Sequence, residues 1–258
     1  MSTMPRSDRR RQAPVLVQLV DLFLIELTNW RWCWRSMLIT GTLAPVFSIL
    51  ALGIFARDSG PETLVYVLTG NMVISLMFGN MDNVQSHFVF MRFYGALDFY
   101  ATLPIRKYNL ILAIVLSFLL LSAPSLILTM LLGAFILHLP IAFHPLLLLI
   151  IPACAISLSG IGAAIGASVR SRYQAGAISL VVTMVMAGLG PVVVPPERLP
   201  QPLLWLGWIN PATYAASALR QTIVGPITGR LLWDLVALLG STILIFAVVT
   251  QTLDWRQS

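Results

Sequence analysis

The chain has 258 residues, 58% of them hydrophobic and only 10% charged, with a mean hydropathy of +0.86. No water-facing domain carries that balance, so the sequence reads as a polytopic membrane protein. The net charge of +6 rests on 16 basic residues, all Arg except Lys107, and these are scattered through the polar connections rather than gathered in a patch. That placement argues for topology and lipid contact and against nucleic-acid binding.

Residues 1–12 are polar and basic (Arg6, Arg9, Arg10, Arg11), like the start of a signal peptide, but no small-residue cleavage site follows. Residues 14–29 are interrupted by Gln18, Asp21 and Glu26, which share about half of a helical wheel with Thr28 and Asn29. The reading is an N-terminal amphipathic helix lying in the membrane interface, anchored by Trp30, Arg31, Trp32, Trp34 and Arg35 at headgroup level. The alternative is a first spanning helix with two carboxylates buried in hydrocarbon, which is costly. Cys33 and Cys154 offer no metal or disulfide spacing and read as packing residues.

Apolar runs of roughly 20 residues, enough to cross a bilayer, then recur at 36–55, 63–81, 109–137, 145–169, 174–194 and 231–250. The fold class is therefore an all-α integral membrane protein with six transmembrane helices. Threading them alternately puts Arg6, Arg9, Arg10, Arg11, Arg31, Arg35, Arg92, Arg106, Lys107, Arg170, Arg172 and Arg256 on one side. Arg57, Arg198, Arg220 and Arg230 fall on the other. By the positive-inside rule both termini are cytoplasmic.

Within these runs Asp234 is the one residue among Asp, Glu, Lys, Arg and His. A proton- or ion-driven carrier keeps such a group near the midplane, and an intramembrane hydrolase needs catalytic ones. His87, His138 and His144 sit at the edges of runs without metal-binding spacing, and no Gly-rich loop followed by Lys-Ser/Thr cradles a nucleotide. Directed work would have to be powered from outside the chain.

Between the second and third runs lies the stretch 91–109. Gly95 to Tyr100 can form about two helical turns, Pro104 ends them, and Arg106 and Lys107 follow. This reads as a surface helix, the alternative being a solvated loop whose charges hold topology. In the fourth run Gly162 and Gly166 allow close approach of another helix, either a neighbouring span or a second copy of the chain. Pro45, Pro124, Pro152 and Pro191 are read as kinks within spans. In the stretch 195–229 four prolines precede an apolar segment, and Asn210-Pro211 carries an N-cap followed by a favoured first helical residue. The form expected is two short helices at, or dipping into, the outer leaflet. Trp205 and Trp208 would lie at the interface, and Thr213, Tyr214, Ser217, Arg220 and Gln221 would supply polar groups.

The six-span layout, the segments GALDFYATLPIRKYNLILA and PPERLPQPLLWLGWINPATYAASALRQ, and the small-residue fourth span resemble the membrane subunits of ABC-2 type exporters, such as those linked to daunorubicin-type drug efflux and nodulation-factor export. The resemblance covers nearly the whole chain. It implies a cytoplasmic tail and amphipathic connecting helix over 1–35 and a six-span domain over 36–258. Within that domain it implies a coupling helix at about 92–104 and external re-entrant helices at about 197–224.

Carried over, Gly95, Leu97, Asp98, Phe99, Tyr100 and Arg106 would couple to a separate ATPase, and Trp205, Asn210, Pro211, Tyr214 and Arg220 would shape an external gate. Many relatives have an acidic pair before the coupling glycine, where this chain has Arg92-Phe93-Tyr94. The implied function is the permease subunit of an ATP-driven exporter in the cell inner membrane, moving an amphipathic small molecule, drug or lipid-like substrate outward. It would work as a homodimer among membrane lipids with two copies of a cytoplasmic ABC ATPase, which would bind the ATP and Mg; no cofactor is expected in this chain. Two other classes stay open: a non-transporting scaffold that docks partners through its interfacial helices, and a membrane enzyme with its site in 195–229.

Overall fold

In an apolar surrounding each backbone amide needs an internal partner, and the helix supplies one locally. All regular structure among the described residues is accordingly helical. The computed structural model describes residues 14–56, 59–142, 144–169 and 171–252, so the basic tail with Arg6, Arg9, Arg10 and Arg11 lies outside them, as do Arg57, Arg170 and Arg256.

Helix α1 (Val15–Trp30) passes through a 3-10 turn into α2 (Trp34–Ala56), and α3 (Pro61–Leu76) continues through a π-helical turn at Met77–Met81 into α4 (Asp82–Phe93). The short α5 (Ala96–Thr102) precedes α6 (Lys107–Leu137), α7 (Leu147–Ser168) and α8 (Arg172–Gly188). Then come α9 (Gln201–Gly207), α10 (Pro211–Ile223) and α11 (Arg230–Thr252).

The packing fixes their directions. A Cβ on Gly41 would meet Ser125 and one on Gly53 would meet Leu137, so α2 and α6 run the same way. Leu68 lies against Gly133 and Ser75 against Thr129, so α3 opposes α6. Gly162 and Gly166 of α7 sit against Met81 and Gln85, and Ser157 bonds Ser241 of α11, so these helices follow the direction of α3 and α4. One end of the bundle therefore carries residues 30–35, 93–107, 168–169, 171–172 and the C-terminal end of α11, and the other carries 56, 59–61, 137–142, 144–147 and 223–230.

Five helices among the described residues are long and apolar enough to cross a membrane: Val15–Ala56, Pro61–Phe93, Lys107–Leu137, Leu147–Ser168 and Arg230–Gln251. The run expected at 174–194 is a helix only to Gly188. It has 17 residues, about 25 Å at 1.5 Å per residue. Gly190 turns the chain at φ 98°, and Pro191, expected inside a span, lies beyond the helix end. Pro45, Pro124 and Pro152 are inside α2, α6 and α7 as expected.

Two expectations are corrected. The second long helix runs on to Phe93 instead of stopping near 81, because the π turn carries it through the polar residues 80–87. Asp82, bonded by the Ser179 hydroxyl of α8, and His87, 5% exposed, are therefore inside the bundle, so Asp234 is not alone there. The polar residues of α1 are also not one solvent face: Gln18 and Glu26 are buried while Asp21, Thr28 and Asn29 are exposed, and Leu16, Val17, Val20, Leu24 and Ile25 point away from the bundle. Polar side chains here find better partners on α4, α5 and α6 than an interface would offer, and the apolar face is left for lipid.

Candidate functional site

At the end of the bundle where α4 gives way to α5, Gly95 adopts φ 70°, a left-handed conformation that L side chains rarely reach, and its carbonyl accepts from Asp98 N at 3.1 Å and Phe99 N at 3.3 Å. The helix stops after Thr102 because Leu103 precedes Pro104 and is extended (ψ 146°). In α5 only Leu97 is buried; Asp98 and Phe99 face outward, as do Phe93 and Tyr94 just before them.

Tyr100 turns inward. Its hydroxyl donates to Glu26 Oε1 of α1 at 3.1 Å, and Glu26 Oε2 lies 3.1 Å from His87 Nε2 of α4. The Glu26–His87 contact has ion-pair distance but not hydrogen-bond alignment, and His87 Nδ1 has no hydrogen-bond partner. Trp30 meets the imidazole edge-on at 5.2 Å and Phe118 of α6 packs at 5.3 Å, so the group is walled by aromatic rings. Burial, and then the Glu26 charge, push the Tyr100 phenol well above its usual range, so it stays a donor. A second tie lies beside the first: Gln18 Nε2 donates to the Pro104 carbonyl at 3.2 Å, and Asn109 Nδ2 donates to Gln18 Oε1 at 3.2 Å and to the Val15 carbonyl at 3.3 Å. Arg106 bonds the Tyr108 hydroxyl on the surface, while Arg92 donates to the Ala167 carbonyl at 2.7 Å near the end of α7.

At the opposite end Asn210 caps α10, its Oδ1 accepting from Ala212 N at 3.0 Å, and Pro211 fills the first helical position, where its missing N–H costs nothing. The same side chain donates to the Met186 carbonyl at 2.7 Å and to that of Leu189, so it ties the start of α10 to the end of α8. Tyr214 donates to the Trp208 carbonyl at 2.6 Å, closing α9 onto α10.

The two helices differ sharply in setting. In α9 Trp205 is exposed, as are Trp208 and Ile209 just after it. Most of α10, by contrast, is buried against α3, α7 and α11. Arg220 stacks on the Tyr66 ring, 3.4 Å from its centroid, and Asp234 accepts from Ser217 at 2.6 Å and Gln221 at 2.9 Å.

The residues expected to act at the inner end, Gly95, Leu97, Asp98, Phe99 and Tyr100, thus form one compact turn and helix, with Arg106 a few residues beyond. Trp205, Asn210, Pro211, Tyr214 and Arg220 share the α9–α10 unit, and Gly162 and Gly166 lie against the backbone of α4 and the π turn before it. Sequence reading places Gln18 and Glu26 on a polar face of α1 and so does not reveal their inward role, that of Asn109 or the burial of His87. The signal was the spacing Gln18, Leu22, Glu26, one residue per turn along a single stripe of α1. Among the described residues no group of three His, Cys, Asp or Glu side chains is placed to hold a metal ion.

The model of the ABC-2 type transporter family matches residues 22–224, from within α1 through α10 and across both ends just described. This chain belongs to the ABC-2 type transporter family. It is the permease component of an ABC transporter, a transport subunit not itself catalytic, from a family that normally works with an ATP-binding subunit. No curated protein matches the sequence.

Proposed function

We propose that this ABC-2 permease exports an amphipathic, lipid-like or drug-like molecule, driven by a cytoplasmic ATPase that docks on α5. The single observation that carries the reading is the split character of α5: Asp98 and Phe99, with Tyr94 beside them, stand free on its outer side, while Tyr100 and Leu97 fasten it to the bundle. A short helix built this way offers an aromatic anchor to a partner and a firm connection behind it.

In this reading the end with Arg31, Arg35, Arg92, Arg106, Lys107 and Arg172 is cytoplasmic, as are both termini, and α8 is the shorter fifth of six passes. The α9–α10 unit re-enters from the outer side, where Trp205, Asn210, Pro211, Tyr214 and Arg220 shape the exit. The working assembly is a homodimer of the permease with two ATPase copies, which hold the ATP and Mg, in the cell inner membrane. The apolar part of the cargo is supported by a groove of about 510 Å³ between α1, α6 and α7, lined by side chains such as Leu19, Phe23, Leu120, Ala123, Leu148 and Pro152. That volume is within the range of small-molecule sites.

The test is Phe99→Ala, with Asp98→Ala beside it, in the permease purified with its co-purifying ATPase. Loss of a central aromatic anchor is expected to weaken docking by about 2 kcal/mol, roughly thirtyfold, and to reduce ATP hydrolysis by the complex in step. Unchanged co-purification and unchanged turnover would remove α5 as the docking element.

A further inference from the structure

We infer that Glu26 is a positioning residue that makes α1 move with α5, so that the stroke delivered to α5 enters the bundle through α1 as well as along the chain. The inference rests on the proposed docking of an ATPase at α5 and extends it to residues outside the docking segment.

Both ends of α5 are joints. Gly95 at φ 70° and the extended Leu103 before Pro104 interrupt the helix hydrogen bonding that would otherwise make α4, α5 and α6 rigid with one another. Seven residues are also too few for a helix that holds its own shape in water. A push on Phe99 would therefore swing α5 about these joints unless something behind it resists. The apolar grip is slight: Leu97 is the one buried residue of the helix, with Ala96 and Tyr100 half-buried against the same cluster.

The polar attachment seen among the described residues leads to α1. Tyr100 donates to Glu26 at 3.1 Å in the middle of α5, and Gln18 donates to the Pro104 carbonyl at 3.2 Å at its exit. Glu26 and Gln18 are two turns apart on α1, so the two ties grip α5 and its exit at separate points, and a two-point attachment resists rotation where a single one would not.

Glu26 is 2% exposed, and burying a carboxyl group is costly unless its oxygens meet polar partners. The Tyr100 hydroxyl bonds one oxygen and the His87 imidazole lies 3.1 Å from the other. In a setting poor in water such a hydrogen bond counts for more than it would on a wet surface. The carboxylate thereby joins α1, α4 and α5 at one point, with Trp30 and Phe118 keeping water out.

The experiment places spin labels at Leu24→Cys and Thr102→Cys, both exposed positions, in a full chain carrying Cys33→Ser and Cys154→Ala and purified with its co-purifying ATPase. A second pair joins Thr102→Cys to Ser168→Cys at the end of α7. Distances are read without nucleotide and after trapping with ATP and vanadate. In the otherwise unaltered chain the Thr102–Ser168 distance should shift on trapping while the Leu24–Thr102 distance stays constant, because α1 and α5 travel together. In Tyr100→Phe, which removes one oxygen and keeps the ring, the Leu24–Thr102 distribution should broaden and shift on trapping. Glu26→Gln should do the same, and Tyr100→Phe decides the matter where Glu26→Gln fails to fold.

A purely structural role for the contact would lower thermal stability in both states alike without making this distance depend on nucleotide. The inference fails if Tyr100→Phe keeps the constant Leu24–Thr102 distance, or if that distance already shifts in the unaltered chain; in either case docking at α5 stands. If trapping moves neither pair, α5 is not driven at all, and the docking reading falls together with this one.

Discussion

Gly162→Ala is expected to destabilise the protein by about 1–3 kcal/mol, the usual cost of forcing extra volume into a filled site. On helix propensity alone the change should help, since alanine is about 0.8–1 kcal/mol better than glycine in a helix interior. The sign reverses because of what the new methyl meets. A Cβ on Gly162 would stand 2.3 Å from the Met81 carbonyl oxygen, and one on Gly166 would stand 2.6 Å from the Gln85 carbonyl oxygen and 2.7 Å from Phe88 Cβ. Backbone atoms cannot swing aside as a side chain does, so α7 must move off α4 and the π turn, taking with it the packing of Ala163 and Leu158.

The pair should be non-additive, because a seam already opened by the first methyl admits the second at less cost. Gly240→Ala on α11, where nothing lies within 4 Å, is the control and should be neutral or stabilising by up to about 1 kcal/mol. Thermal unfolding of Gly162→Ala, Gly166→Ala, the double variant and Gly240→Ala in detergent reads the difference. A Gly162→Ala midpoint equal to that of Gly240→Ala would show that the helices separate freely at this seam.

The seam also illustrates how far the sequence could be read. Small residues at 162 and 166 announced a close approach, but not which helix would come near, because glycine leaves room without naming what fills it. The same limit explains the other outcomes. The bounds of α5 were legible because Gly95 and Pro104 act on their own backbone, whatever surrounds them, and Asn210-Pro211 marked the start of α10 for the same reason. The end of the run at 174–194 was not, because apolar residues 189–194 look alike in a helix or in an irregular turn packed on α3.

Orientation was hardest. On α1 the polar side chains were identified but turned the wrong way, since a helical wheel gives the angle between residues and not the identity of the neighbour. Only the fold brings Tyr100 and His87 to Glu26, and Asn109 and Pro104 to Gln18. The polar run 80–87 resembles a loop, whereas in the fold it continues a helix in which Asp82 meets Ser179 of α8, Asn83 bonds carbonyls of the preceding turn and His87 faces Glu26 of α1. The five long helices and the short α8 follow from apolar length, and length is additive along the chain in a way that side-chain pairing is not.

Asn210→Ala is the second substitution for which a large effect is expected, because one side chain performs two jobs. Its Oδ1 caps α10, worth about 0.5–2 kcal/mol at an N-cap. Its Nδ2 satisfies the Met186 and Leu189 carbonyls at the end of α8, and a buried acceptor left without a donor costs about 1–3 kcal/mol. Since these terms overlap, the expected loss is on the order of 3 kcal/mol.

A short series separates the jobs. Asn210→Ser can still cap but cannot reach both carbonyls, so it should fall between the parent and Asn210→Ala. Asn210→Asp is the sharper probe: it is as good a cap as asparagine, yet it turns a second oxygen toward two carbonyl oxygens, so it should be no better than alanine despite being the smallest change in shape. Gly190 and Gly207 make the junction intolerant of slack, because a Cβ on Gly190 would lie 2.7 Å from Gly207 Cα. Loosening should therefore show first as faster proteolysis within residues 189–210, ahead of any change in the long helices. If Asn210→Asp instead matches the parent in both melting and proteolysis, the carbonyls of Met186 and Leu189 are served by something other than this side chain, and the tie between α8 and α10 is not what holds that end of the permease together.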